Sequence, residues 1–150
     1  QKNENKMQIQ TANREKSEKV FINVKNIEGA TITTGLPVAY AQGTSIDGVG
    51  VVIANAAADF PGFVGIAVRD IPNNDYGQVQ TVGFVDSILI SNVGSSLTIA
   101  VGSPLVPAAA GMFSAAPTYA NSGFRWVVAA SNVPVAVSAA AYASGLIRMC

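Results

Sequence analysis

Residues able to do chemistry are few in this chain of 150 residues, and histidine is absent. Histidine is the side chain that most often moves protons near neutral pH and is the commonest metal ligand, so most hydrolase triads are excluded. The single cysteine, Cys150, can form neither an intramolecular disulfide nor a cysteine-built metal site. No lysine follows Lys25, so a serine–lysine nucleophile would need a lysine from the first 25 residues.

The aspartates stand where this residue favours turns through hydrogen bonds to nearby backbone: Asp47, Asp59, Asp70, Asp75 and Asp86. Sequence alone leaves open that two carboxylates meet in space as a glycosidase pair. The segment DIPNND at 70–75 is rich in oxygen ligands, but it lacks the alternating ligand positions and distal glutamate of a calcium loop. We therefore expect a plain turn there, no cofactor, no metal and no enzymatic activity.

Charge is distributed unevenly along the chain. The first 28 residues hold ten of the eighteen charged residues, and the other 122 hold eight. Residues 1–19 contain only two large apolar side chains, Met7 and Ile9, so this segment cannot bury enough surface to fold alone. The sequence therefore predicts an N-terminal arm over residues 1–19, extended or in a short helix, and a separate body over residues 20–150. The arm is either docked on a neighbour or a frayed terminus.

The body shows the pattern of an all-β protein, either a small β-barrel or a β-sandwich. Short β-branched runs are separated by Gly, Pro, Asn and Asp at intervals of about eight to twelve residues. The predicted strands cover residues 20–26, 37–41, 49–55, 63–70, 77–84, 87–91, 104–107, 124–130 and 145–149. Residues 63–69 and 78–84 flank a polar turn and predict a hairpin, and the alanine-rich residues 135–143 predict a loop or short helix.

One pattern occurs twice. TITTGLPVAYA at 31–41 and TIAVGSPLVPA at 98–108 both fit T-I-x-x-G-x-P-aliphatic-x-x-A. Glycine supplies a tight turn, proline opens the next strand, and the aliphatic residue points into the core. The recurrence is either chance, since such turns are common, or the mark of a duplicated β unit.

Composition also restricts the partners. The net charge is zero and no basic run is interleaved with aromatics, so we expect no nucleic-acid binding. No apolar stretch approaches the roughly 20 residues that cross a bilayer, so we expect no membrane insertion. The aromatics are scattered, which does not favour a stacking platform. Trp126 is either a core anchor or an interface residue.

The order and spacing of these elements resemble the capsid decoration (cement) proteins of tailed bacteriophages. The resemblance covers most of residues 20–149. It rests on VKNIEGATI at 24–32 leading to GLPV at 35–38, FVGIAV at 63–68 with YGQVQTVGFV at 76–85, VGSPLV at 101–106 with Gly111, and GLIRM at 145–149.

The resemblance implies a non-enzymatic structural protein on the capsid exterior of a virion. It implies a homotrimer that binds the major capsid protein and stabilises its lattice. The residues expected to contact the capsid or a neighbouring subunit are Met7, Ile9, Arg14, Lys16, Lys19, Phe21 and Trp126. One alternative is another virion module, such as a tail-fibre or receptor-binding β domain, but the repeated glycine pattern expected of a fibre is not evident. A second alternative is a small carbohydrate-binding domain, but the aromatic platform expected of a sugar-binding site is not evident either.

Overall fold

The structure, a computed structural model, describes residues 18–43, 46–91, 99–115, 127–131 and 141–147. These residues contain nine strands: β1 Val20–Asn26, β2 Pro37–Tyr40, β3 Gly50–Ile53, β4 Phe63–Ala67, β5 Tyr76–Ile90, β6 Pro104–Pro107, β7 Phe113–Ala115, β8 Val127–Ala129 and β9 Ala141–Ile147. Helical turns within the described ranges are confined to two short 3-10 helices, Ala57–Gly62 and Ala109–Gly111. The expectation of an all-β barrel is confirmed.

The strands close into two five-stranded barrels that share β5. In the first barrel the hydrogen-bonded order is β1-β3-β2-β4-β5, and β5 returns to β1 through its N-terminal half. In the second barrel the order is β5-β7-β6-β8-β9, and β9 returns to the C-terminal half of β5. Among the described strands, only the first-to-third strand pairing of each barrel, β1–β3 and β5–β7, is parallel. A 15-residue strand thus serves both barrels.

Each barrel encloses its own apolar core. The first core contains Val24, Ile32, Leu36, Val38, Val51, Val64, Ala67, Ile71 and Val79. The second contains Val85, Ile88, Ile90, Ile99, Leu105, Phe113, Val127, Ala129 and Ile147, together with Ile66 from β4 of the first barrel. Full burial of a Val, Leu, Ile or Phe side chain contributes about 1.5–3 kcal/mol relative to exposure, so these buried residues supply most of the driving force.

The two barrels have the same register except in the β5–β9 pair before Ile88, where the bulge between Val85 and Ile88 shifts the pairing. Matching pairs are Lys25↔Tyr76 with Leu89↔Tyr142, Asn26↔Val51 with Ile90↔Phe113, Tyr40↔Val51 with Pro107↔Phe113, and Pro37↔Ile66 with Pro104↔Val128. The same strand topology with the same register is the arrangement expected of a duplicated unit. Of the two interpretations of the repeated sequence pattern, the structure supports duplication.

The repeated pattern forms the same corner in each barrel. In the first corner, residues 33–36, Gly35 has a φ of +87° and its N–H donates to Ala67 O at 2.8 Å. In the second corner, residues 100–103, Gly102 has a φ of +83° and its N–H donates to Ala129 O at 2.8 Å. Pro37 and Pro104 then open β2 and β6. Positive φ favours glycine, which explains why both corners have glycine two residues before the proline that opens the strand.

Several sequence expectations are confirmed. Strand β1 has the expected bounds, and β2, β3, β4 and β6 lie within the predicted ranges. The predicted hairpin is present, with β4 antiparallel to β5. Its connection includes Ile71, which bridges Ile32 of the first barrel, and Asn74, whose φ is 63°.

Other expectations are wrong. Residues 77–84 and 87–91 are not two strands, because β5 continues through Asp86, and a bulge between Val85 and Ile88 absorbs the irregularity that the sequence suggested was a turn. Strand β7 was not predicted, since a three-residue strand has little pattern to detect. The predicted loop or helix at 135–143 is strand from Ala141 onward, because pairing with β5 outweighs the helix propensity of alanine. Residues 135–140, 124–126 and 148–149 lie outside the described ranges.

Candidate interaction surface

Two of the seven predicted contact residues lie in the described part of the chain. Lys19 precedes β1, and its Nζ lies 3.1 Å from Asp86 Oδ2. Phe21, on β1, pairs with Gln80 and is 44% exposed. The structure brings both to one groove on the outside of the molecule. The other five, Met7, Ile9, Arg14, Lys16 and Trp126, lie outside the described residues.

The groove follows the outer side of the β1–β5 pair. The part near the start of β1 has a volume of about 320 Å³ and is lined by Lys19, Phe21, Thr34, Val68, Arg69, Gln78, Gln80, Val85, Asp86 and Ser87. The part near the start of β5 has a volume of about 460 Å³ and is lined by Asn23, Arg69, Asp70, Tyr76, Gly77 and Gln78. Arg69 and Gln78 line both parts, so the two depressions are adjacent. We call this surface the β1–β5 groove.

The strand register explains which side chains reach the groove. Phe21, Asn23 and Lys25 alternate along β1 and therefore share one face of the strand. Asn23 is paired with Gln78, and Lys25 with Tyr76. Phe21 and Tyr76 consequently lie on the same side of the sheet, four residue pairs apart. An open sheet face with two exposed aromatics suits contact with another macromolecule more than enclosure of a small ligand.

Charges of both signs surround the groove. The Lys25 ammonium lies 6.0 Å from the centroid of the Tyr76 ring, within the range of a cation–π contact. Asp70 accepts hydrogen bonds from Thr34 N and Thr34 Oγ1, both at 2.8 Å. These bonds favour the charged carboxylate and hold the pKa of Asp70 below its ordinary value. Exposed pairs such as Lys19 with Asp86 contribute at most about 1 kcal/mol each.

Four of the five aspartates accept hydrogen bonds from backbone N–H groups in loops and turns. Asp47 accepts from Val49 and Gly50, Asp59 from Asn55 and Ala56, Asp70 from Thr34, and Asp75 from Tyr76. This confirms the turn interpretation for Asp47, Asp59 and Asp75, whose donors lie within four residues. The donor to Asp70 is 36 positions away, and Asp86 lies inside β5, so these two do not bond to nearby backbone in a turn as expected. In the oxygen-rich loop, Asn73 Oδ1 also accepts from Gly29 N at 3.0 Å. Among the described residues, no group of three or more acidic or cysteine side chains is arranged to hold a metal ion.

Sequence reasoning missed three residues of this surface: Arg69, Tyr76 and Lys25. Tyr76 is 64% exposed at the start of β5. The alternation of residues 76–80 shows that Tyr76 and Gln78 share a face of their strand. That pattern cannot show that β1, which carries Phe21 and Lys25, is the strand paired with it. The pairing joins residues about 50 positions apart, which no local pattern specifies.

The described residues include no helix with the length and apolar character required to span a bilayer.

Fold and surface together define an all-β protein made of two tandem, five-stranded barrels with an open, partly aromatic groove on the first. A similar fold occurs in a crystal structure described as the head fiber gp8.5 N base in bacteriophage phi29. The TM-score is 0.53 at 14% sequence identity, and the match covers 87% of this chain and 95% of that chain. The likeness therefore concerns the fold along nearly the whole length. No protein-family model and no curated protein matches the sequence.

Proposed function

We propose that this chain is a non-enzymatic structural protein of a phage virion. In this proposal a homo-oligomer, as a trimer, binds the outer surface of the capsid and stabilises the lattice of the major capsid protein. The observation that carries the proposal is the shared fold with a phage head-fiber base over 87% of this chain.

The surface properties support a role in assembly. Outside the first 28 residues only eight charged residues are found, while several large apolar side chains remain exposed in the described part, among them Phe21, Tyr76, Val101 and Tyr142. Exposed apolar side chains with few surrounding charges favour burial against another protein. The β1–β5 groove offers two aromatics flanked by charged groups, a composition typical of protein–protein contact.

A second candidate function has one observation in its favour. The protein of similar fold is described as the base of a head fiber, so this chain could instead carry a fibre or receptor-binding element. The two functions differ in their effect on the capsid. A lattice-stabilising protein raises the temperature at which the capsid is disrupted, whereas the base of a fibre only attaches a fibre or receptor-binding element to the particle.

The test uses capsids assembled from the major capsid protein encoded in the same genome. The purified full chain is titrated onto these capsids, and bound copies are counted after sedimentation. The proposal expects saturable binding at many sites per capsid and a higher temperature of capsid disruption. Saturable binding without any rise in the disruption temperature would support the alternative, and no binding to any particle would overturn both.

A matched pair of variants locates the capsid contact. Phe21→Ser removes an exposed aromatic from the groove, and Val49→Ser removes an apolar side chain of similar exposure, 41% against 44%, that does not line the groove. We expect Phe21→Ser to weaken capsid binding at least tenfold, or about 1.4 kcal/mol, and Val49→Ser to leave it unchanged. Equal effects of the two variants would exclude the groove as the contact surface.

A further inference from the structure

The first strand of the first barrel has one open edge. On one side, β1 is paired with β5 from Val20 to Lys25. On the other side, its pairing with β3 begins only at Lys25. The edge of β1 before Lys25 therefore has no strand paired to it among the described residues. Such an edge presents backbone N–H and C=O groups that another extended segment can bond.

The hydrogen-bond pattern shows which residues face the open edge. Lys25 N donates to Val49 O at 2.8 Å, across the side of β1 that faces β3. Successive residues of a strand direct their backbone groups to alternate sides, so the N–H and C=O groups of Asn23 and Phe21 point the same way as those of Lys25. Both Asn23 and Phe21 are exposed. The open edge thus offers the backbone donors and acceptors of these two residues.

Comparable edges elsewhere in the molecule are covered. Glu28 Oε2 accepts from Ile53 N at 2.8 Å, which caps β3 beyond the end of its pairing with β1. In the second barrel, the corresponding edge of β5 lies against the first corner, where Leu89 N donates to Gly35 O at 3.0 Å. Native proteins commonly cover strand edges, because an open edge pairs readily with other chains. We therefore expect a cover on the edge of β1 as well.

The segment before Glu18 has the sequence of a suitable cover. Its residues lie outside the described part of the chain and join β1 at the end where the edge is open. Within it, KMQIQT at 6–11 alternates the apolar Met7 and Ile9 with glutamines, which is the period-two pattern of a strand with one apolar face. Neither glycine nor proline interrupts residues 1–19.

We infer that residues 6–11 dock on the open edge of β1 of the same chain as an added antiparallel strand. With Ile9 opposite Phe21 and Met7 opposite Asn23, the backbone groups of each pair can bond each other. Both apolar side chains then lie on the face that carries Phe21, which is 44% exposed. The next pair would fall at Lys25, where β3 already occupies the edge, so the added strand ends there.

The connection is long enough for this contact within one molecule. The carbonyl oxygen of Glu18 lies against Gly83, so the connection starts at β5. A strand added beyond β1 lies two strand spacings from β5, about 10 Å. Residues 10–17 span up to about 26 Å when extended, which is sufficient for the chain to reverse direction. Covalent attachment beside the edge gives the segment a high effective concentration there, so the occupant is the same chain.

Hydrogen exchange of single amides, followed by NMR on the free full chain, tests the inference. The Phe21 and Asn23 amides should exchange about tenfold more slowly, or slower still, in the full chain than after deletion of residues 1–17. The Ile22 and Val24 amides point toward β5 and are the internal controls. They should be protected in both proteins, which also shows that the deleted form folds. Protection of the edge amides should not change with protein concentration, because the contact is intramolecular.

A pair of proline variants in the full chain identifies the docked residues. Ile9→Pro removes a backbone donor from the added strand, so both edge amides should exchange as they do in the deleted form. Asn3→Pro is the matched control outside residues 6–11 and should keep the protection. Edge amides that exchange freely in the full chain would overturn the inference. So would protection that survives Ile9→Pro, that Asn3→Pro removes, or that is lost on dilution. No capsid takes part, so neither result bears on the proposed function.

Discussion

The carbonyl oxygen of Glu18 lies directly against Gly83, where the chain leading into β1 crosses the middle of β5. Gly83 has a φ of +100°, and a Cβ there would collide with the Glu18 carbonyl. On the first-barrel side of this crossing, Thr81 Oγ1 donates a hydrogen bond to Val20 O at 3.2 Å. On the second-barrel side, Lys19 forms an ion pair with Asp86. The base of the N-terminal segment is therefore attached at the boundary between the two barrels.

Replacing Gly83 with alanine tests this crossing. Gly83→Ala adds backbone strain at positive φ, about 1–2 kcal/mol, and a steric collision with the Glu18 carbonyl that adds a further 1–3 kcal/mol or so. Gly29→Ala is the matched control, because Gly29 has a φ of +93° and nothing within 4 Å of a built Cβ. The free energy of unfolding from urea titration should fall more for Gly83→Ala than for Gly29→Ala. Equal losses would show that the crossing chain moves away without penalty.

Asn26 occupies in the first barrel the position that Ile90 holds in the second. Its side chain is fully buried: Nδ2 donates to Ala30 O at 2.8 Å and to Ile71 O at 2.7 Å, and Oδ1 accepts from Glu28 N at 2.8 Å. The duplicated units have diverged here, because the first uses an amide to hold the two loops that close its end.

Removing that amide should destabilise the first barrel. Asn26→Ala removes three hydrogen bonds at a fully buried position, and each contributes about 0.5–1.5 kcal/mol net, so we expect a loss of about 2–4 kcal/mol. Asn73→Ala, which removes one exposed bond to Gly29 N, should lose only about 0.5–1.5 kcal/mol. Denaturant titration of both variants measures the difference. A loss for Asn26→Ala no larger than for the control would mean that the loops find other partners.

Local chemistry made part of the fold predictable from sequence. The glycine and proline of the repeated pattern fix backbone angles that can be read without a structure, and both corners formed as expected. The bounds of β1 followed from its β-branched run. The continuity of β5 was not predictable in this way, because a bulge at Asp86 matters only when β9 lies beside it.

The candidate surface was less predictable for the same physical reason. Lys19 and Phe21 could be proposed because they stand next to a charged segment and on a strand. Tyr76 lies in the groove because its strand pairs with β1 at Lys25. Arg69 lies there because the chain after β4 passes close to β1. Both placements depend on residues far apart in the sequence. The hydrogen bond from Leu89 N to Gly35 O was unpredictable for a further reason, since it joins the two repeated units, which the sequence showed only as a repeated motif.

Acid should destabilise the protein partly through Asp70. Its pKa is lower in the folded state because the charged form accepts the two Thr34 bonds, so the unfolded chain binds protons more readily. This contribution is fully present above the unfolded aspartate pKa, about 3.9, and is lost as pH falls through the lower folded pKa.

The variants Asp70→Asn and Thr34→Val test this contribution. Asp70→Asn should be less stable than the unaltered chain at pH 7, with the difference shrinking as pH falls toward about 2. Thr34→Val keeps the backbone donor and loses only the hydroxyl, so its effect should be intermediate. Thermal unfolding measured across this pH range supplies the comparison. A difference between Asp70→Asn and the unaltered chain that stays constant with pH would assign the stability to packing instead of charge.

Deleting the N-terminal segment tests its part in capsid attachment. Removing everything before Val20 takes away eight of the eighteen charged residues but none of the described strands, so the β body should stay folded. Linking an arm to a docked body raises the effective concentration of the arm, so the truncated chain should bind capsids more weakly. It should also bind with less dependence on salt, because exposed charge pairs are screened.

A shorter deletion separates the arm from its base. Removing residues 1–17 keeps Glu18 at the Gly83 crossing and Lys19 beside Asp86. If the arm itself contacts the capsid, both deletions should weaken binding to the same extent. If only the Lys19 region matters, the shorter deletion should bind like the full chain. Binding by both truncated proteins that equals the full chain at every ionic strength would show that the segment is a terminus without a role in attachment.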